Sequence, residues 1–201
     1  DANEARAQAR TEAASSWKDA TAAAEQLLTR ASDERLARLP KSDAVRRMLL
    51  QDALGFYDKW LAERPTDHHL QEPRCRTLLL LSRVHWQIGQ LPDAQRRADE
   101  ARSIAATLHT ANPEDVEMRA LLADALRKLG VAIASAGRPV DALPLFVDAS
   151  QHLDACFHIA PTRHGLSYSS ALREVAMMQQ ALQRPDESLA SFGASLRVLE
   201  T

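Results

Sequence analysis

His152, Asp154, Cys156 and His158 stand in one short run, and all four are side chains of the kinds that ligate zinc. A structural zinc site needs four such ligands converging on one point. On a helix only His152 and Cys156, four apart, share a face squarely. The run therefore reads as ordinary surface and core positions, and no metal site is expected. His68 and His69 precede Pro73 in a stretch that reads as a loop, where the pair supplies too few ligands. Ser, His and Asp are all present, yet no Gly-x-Ser-x-Gly elbow or comparable context places a nucleophile. Asp and Glu fall at salt-bridge spacings on helix faces, as solvated surfaces do. No Gly-rich strand-to-helix turn offers a phosphate cradle. Neither an enzyme nor a cofactor is expected.

The elements that carry these residues follow from the prolines. Pro65, Pro113 and Pro161 recur every 48 residues, and Pro92, Pro139 and Pro185 fall between them. Proline fits the first turn of a helix and is excluded from its interior. Two interleaved series mark helix starts twice per period, the sign of an array of helical hairpins. Gly89 and Gly137 stand just before the second series and suit a left-handed helix stop. The pattern predicts a helix over 73–88 and another from Pro92 to about Thr110. It then predicts a helix to Ala136, one from Pro139 to Ile159, one ending near Gln183, and one from Pro185.

Ahead of these, Ala13, Trp17, Ala20, Ala24 and Leu27 form a narrow heptad-like seam, which Pro40 closes. Ser42 or Asp43 can cap a next helix. In it Val45, Leu49, Ala53, Phe56 and Trp60 make one apolar stripe. The expected organisation is an N-terminal hairpin, 1–64, serving as cap or stalk, and an array over 65–201 with units 65–112, 113–160 and 161–201. That is about eight helices in four hairpins, with no strand.

Composition agrees with a helical protein of ordinary solubility. Of 201 residues, 45% are hydrophobic and 26% charged, and only 6 are Gly. A net charge of −2 gives no global basic field for nucleic acid or anionic lipid. Cys75 and Cys156 lie in different units and are expected as two free thiols. No stretch of about 18 apolar residues is present. The chain begins with Asp1 rather than Met and reads as a piece of a longer protein.

Gly89-Gln90-Leu91-Pro92-Asp93-Ala94 aligns with Gly137-Arg138-Pro139-Val140-Asp141-Ala142, and Gln183-Arg184-Pro185-Asp186-Glu187-Ser188 is a degenerate third copy. In the middle unit Leu129-Gly130 precedes the turn, and Phe146 and Ala149 follow it. This resembles the signature of the tetratricopeptide (TPR) repeat family. The small residues Gly130, Ala142 and Ala149 let one helix approach the other. The period departs from the family's usual 34 residues, and Ser82 and Ala98 stand where Gly130 and Phe146 stand in the next copy. The resemblance implies an all-α, right-handed superhelical array of antiparallel hairpins with long helices.

A second resemblance covers residues 1–64 best. Glu25–Leu36, Arg46–Leu50 and Ala53–Tyr57 are similar to a segment of large bacterial serine/threonine protein kinases. There it follows the kinase domain and a membrane helix and opens a TPR region. This implies a non-catalytic accessory region, because the chain has no Gly-rich loop, His-Arg-Asp or Asp-Phe-Gly of a kinase.

In TPR proteins the first helix of each hairpin lines the concave groove. Carried onto this chain, that implies Arg76, Leu79, Arg83, Trp86 and Gln87 in one unit, and Asp124, Arg127, Val131, Ala134 and Ser135 in the next. Ser170, Arg173, Met177 and Gln180 follow in the third. Arg76, Arg83, Arg127 and Arg173 would place four guanidinium groups on one surface, suited to carboxylate or phosphate. Trp86 would stack on a ligand side chain. The paired Asn residues of a chaperone-tail clamp are missing, so that specificity is not expected. The expected function is a protein- or peptide-binding scaffold region of a larger, kinase-associated bacterial signalling protein. Its partner is a protein or peptide, acidic in character; nucleic acid and direct membrane insertion are not expected. The alternative is a structural, self-associating module that links a membrane stalk to other domains.

Overall fold

The computed structural model describes residue 26 and residues 42–63 and 68–200. Among the described residues stand seven α-helices and no strand. The chain divides into two compact units, Asp1–Thr66 and Asp67–Thr201.

Helix α1, Ser42–Glu63, belongs to the first unit. Its buried row is Ser42, Arg46, Leu50, Ala53, Leu54, Tyr57 and Leu61. The expected stripe is thus rotated by about one position. Val45 is exposed, and Phe56 and Trp60 are half-buried, with their rings 6.0 Å apart. The charge of Arg46 hides the true row in the sequence. Its side chain is 1% exposed and meets Asp43 at 3.2 Å, one turn back. Burying a charge is tolerated when it is paired.

The second unit holds three hairpins. Helices α2 (His68–Gln87) and α3 (Leu91–Ala111) form the first, α4 (Val116–Ser135) and α5 (Pro139–Ile159) the second, α6 (Pro161–Ala181) and α7 (Pro185–Leu199) the third. Each helix packs on the next in sequence, and α2 also touches α4. The array is therefore continuous across both hairpin joints, as expected of a repeat whose units cannot bury their apolar faces alone.

The three turns are built alike. Gly89 has φ 77° and Gly137 φ 78°, and Gln183 takes the same left-handed region at 59°. At each turn two amides close back on the preceding helix. Gly89 donates to Trp86 and Gln90 to His85; Gly137 to Ala134 and Arg138 to Ile133; Gln183 to Gln180 and Arg184 to Gln179. These bonds satisfy carbonyls that a helix end otherwise leaves open. The three starts after these turns, at Leu91, Pro139 and Pro185, fall where the second proline series puts them.

Within a hairpin the helices approach through small residues. Helix α3 buries Ala94, Ala98, Ala101 and Ala105. Ser82 Oγ on α2 donates to the Ala94 carbonyl at 2.8 Å, and Ser188 Oγ on α7 donates to the Ala176 carbonyl at 2.9 Å. In the middle hairpin Gly130 lies under Phe146. A Cβ there would sit 2.8 Å from Cε1 and Cζ of that ring. Phe146 in turn shares a core with Ala98, Leu129, Ile133, Ala142 and Val175, contributed by all three hairpins.

Pro73 and, of the first series, Pro113 do not mark the starts expected of them. Pro73 lies inside α2, which begins at His68. So near the helix start a proline forfeits one backbone bond, the one its missing N–H would have made a turn back; the Pro73 carbonyl itself accepts from Thr77 Oγ1 at 2.8 Å. Pro113 sits in the turn before α4, whose start is set by Asp115. That carboxylate accepts from the amides of Glu117 at 2.8 Å and Met118 at 3.3 Å, satisfying two donors that proline would leave open. Pro144 also lies within α5. The N-terminal seam from Ala13 to Leu27, Pro40 and Pro65 lie outside the described residues.

Candidate functional site

The first helices of the three hairpins, α2, α4 and α6, share one side of the second unit. Two contacts tie them across the joints. Trp86 Nε1 on α2 donates to Ser135 Oγ on α4 at 2.8 Å. Arg127 on α4 grips Glu174 on α6 with two bonds, Nε and Nη2 each at 2.7 Å.

These contacts separate the five residues singled out by type. Arg76 and Arg83 line one cleft between α2 and α4, of about 270 Å³, with Leu79, Leu80, Asp124 and Lys128. Arg76 is exposed and rests on Glu72 one turn back, Nη2 to Oε1 at 2.8 Å. Lys128 lies 3.7 Å from Asp124 in the same way. Exposed pairs of this kind contribute about 0–1 kcal/mol, so an incoming carboxylate can displace them at little cost. Trp86 stands at the end of α2, 42% exposed, its indole N–H held by Ser135.

Arg127 is different. It is 15% exposed and Glu174 19%, and the pair is bidentate. Burial opposes the guanidinium's charge, but the hydrogen bond and charge of Glu174 and the charge of Asp124 outweigh it and raise the pKa. This arginine joins two hairpins and is committed to that joint. Arg173 occupies the equivalent position on α6. It is exposed and makes no ion pair among the described residues. The side chains brought together are therefore Arg76, Arg83 and Lys128, with Trp86 nearby; Arg127 and Arg173 belong to the edge of each hairpin that faces onward.

Lys128, Leu80 and Glu174 were not singled out from the sequence. They occupy one repeat position, next to the groove-facing one, and only the packing of α2 on α4 and α4 on α6 shows that this position crosses the joint.

The His152–His158 run scatters. Cys156 is buried and its Sγ donates to the Val116 carbonyl at 3.6 Å. His152 stacks edge-on against His109 of α3, ring centres 5.5 Å apart. His158 Nδ1 bonds the Asp154 carbonyl at 2.9 Å on the exposed side. No group of three or more His, Cys, Asp or Glu converges among the described residues. His68 and His69 open α2 rather than lying in a loop. No described helix is long and apolar enough to cross a membrane.

No family model matches the chain, and no curated protein matches it. Among solved structures, a crystal structure of MamA is 20% identical, with a TM-score of 0.32 over 75% of this chain and 89% of that one. BtubC (BKLC) from P. vanneervenii is 12% identical, with a TM-score of 0.38 over 91% and 89%. The de novo designed helical repeat protein DHR64 is 16% identical, with a TM-score of 0.41 over 91% and 92%.

Proposed function

We propose that this chain is a non-catalytic scaffold that binds a protein segment along the face of α2, α4 and α6. The observation that supports it is the α2–α4 cleft. It joins an apolar floor, Leu79 and Leu80, to three cations, Arg76, Arg83 and Lys128. Trp86, three residues beyond Arg83 on α2, donates its indole N–H to Ser135 of α4. An extended peptide with an acidic side chain for the cations and an apolar one for the indole complements this set. The two acids already present, Glu72 and Asp124, act as stand-ins that a ligand carboxylate replaces. The similarity of Glu25–Tyr57 to the TPR region of bacterial serine/threonine kinases supports a place beside such a kinase in a larger signalling protein.

The test is a peptide-display selection against the full chain. Selected peptides are expected to carry Asp or Glu beside a large apolar residue, and to bind less tightly as salt rises, since screening acts within about 8 Å at physiological ionic strength. Arg76→Glu with Lys128→Glu is expected to weaken them at least tenfold with helicity unchanged. Peptides that bind this double variant as tightly as the parent contradict the site. Trp86→Ala tests the apolar half in the same way.

A further inference from the structure

The cations of the α2–α4 cleft belong to one joint and are not repeated at the next. Counted from the turns, Arg76, Arg83 and Lys128 of the first joint are equivalent to Asp124, Val131 and Glu174 of the second. Glu174 is closed there by Arg127, and both side chains are largely buried. A peptide with a long run of acids would therefore leave the cations after a few residues. Beyond them it would meet a carboxylate, an aliphatic side chain and a finished ion pair. The first joint suits a compact anion instead.

The three cations surround one level of the cleft. Trp86 and Ser135, at the C-terminal ends of α2 and α4, bond at 2.8 Å, so the two helices run side by side in the same direction. Lys128 then stands level with its equivalent, Leu80, which lies four residues after Arg76 and three before Arg83. Arg76 and Arg83 flank that level, about 10 Å apart for seven residues of helix. All three cations line the same cleft.

Charge decides what the compact anion is. Arg76 now holds Glu72 at 2.8 Å, and Lys128 lies 3.7 Å from Asp124. A ligand that takes both cations from their acids must return two negative charges at one place. A single carboxylate returns one, with two oxygens for three cations. Two acids in an extended peptide return two, but neighbours point to opposite sides and alternate residues stand about 7 Å apart. A phosphorylated side chain carries a charge of about −1.5 to −2 at neutral pH and presents three strong acceptor oxygens from one atom. That matches one oxygen to each of Arg76, Arg83 and Lys128.

We infer that the anion received by this cleft is a phosphorylated serine or threonine of a partner protein. Leu79 and Leu80 line the cleft with the cations and offer apolar surface to the peptide around the phosphate, which a free phosphate ion would not use. The inference rests on the reading of the cleft as a peptide site and narrows that reading to one ligand group.

The probes are three pools of synthetic nonapeptides on beads, random except for a central phosphoserine, glutamate or serine. The full chain, fluorescently labelled, is passed over each. Retention on the phosphoserine pool is expected to exceed that on the glutamate pool about tenfold, because charge-assisted bonds to three cations replace bonds to two oxygens. Serine should retain least. Lys128→Gln and Arg83→Gln, each checked for unchanged helicity, are expected to bring the phosphoserine and glutamate pools within about threefold of each other. Equal retention on these two pools by the parent chain, lost in Arg76→Glu with Lys128→Glu, overturns the inference and leaves the peptide reading standing. Retention unaffected by that double variant, or no retention on any pool, overturns both. If inorganic phosphate releases the chain from the phosphoserine pool as well as an equimolar free phosphoserine peptide does, the site takes a free anion, against the inference.

Discussion

Gly130→Leu is the perturbation that reports most sharply on the helical packing. Glycine inside a helix is unfavourable by about 1 kcal/mol relative to alanine, and leucine is a good helix former. On propensity alone the substitution should therefore stabilise α4 by most of that amount. The packing opposes it. A Cβ at residue 130 meets Phe146 Cε1 and Cζ at 2.8 Å and Cδ1 at 3.2 Å, below any ordinary contact distance. Phe146 is 2% exposed and shares its core with Leu129, Ile133 and Val175. The ring has nowhere to go without moving these neighbours. The third hairpin sets a scale. Ala176 stands where Gly130 does and Phe192 where Phe146 does, and Phe192 is only half-buried. Overpacking a closed core costs about 1–3 kcal/mol for a few added carbons, and three more follow the Cβ here. After the propensity gain, a net loss of up to about 2 kcal/mol is expected. For a chain of this size that lowers the melting temperature by up to about 4–8 °C. The control is Phe146→Ala. It should cost about 3–5 kcal/mol by itself, and Gly130→Leu made in that background should become neutral or stabilising, because leucine fills the vacated space. Thermal and urea melts followed by circular dichroism give both numbers. If Gly130→Leu has the same effect in both backgrounds, the two residues do not meet and the packing argument fails.

Three further outcomes follow. Arg127→Ala should cost about 2–3 kcal/mol, because it leaves Glu174 partly buried and unpaired, whereas Arg76→Ala, in an exposed pair, should stay within about 0.5 kcal/mol; urea melts of the two variants decide it. Stability should fall as pH drops below about 6.5, since burial first, then the neighbouring His152 and Arg119, hold the His109 pKa below its ordinary value. In that window the unfolded chain binds a proton that the folded chain refuses, so stability present above the unfolded pKa is lost on acidification; His109→Gln should flatten that part of the profile. Burial pushes the Cys75 thiol up to about 12 and raises that of Cys156. Both should resist iodoacetamide in the native protein at neutral pH, and mass spectrometry after denaturation without reductant should show two labels; a disulfide would show none.

The sequence made the turns, the second proline series and the close contact at Gly130 readable, because each depends on local chemistry. A left-handed stop needs Gly89 or Gly137, and a first turn tolerates Pro139. What stayed hidden depends on tertiary partners. Arg46 looks like a surface residue until it is found buried beside Asp43, and its charge displaced the inferred face of α1. Pro73 and Pro113 misled because a proline is tolerated inside the early turns of a helix, and because Asp115 is the better cap. Among the groove candidates, residue type could not tell Arg127, committed to Glu174, from Arg76, whose pair is exposed and exchangeable. That distinction rests on a contact between residues in different repeats, which no local pattern encodes.

Whether the face of the first helices receives a partner segment is read directly from an NMR chemical-shift map of the full chain titrated with the tightest acidic–apolar peptide from the selection. Shifts are expected to concentrate in 76–87 and 124–135, with the Trp86 indole proton among the largest, and to be small along α3, α5 and α7. Shifts confined to those second helices, with Trp86 unmoved, would contradict binding on this face.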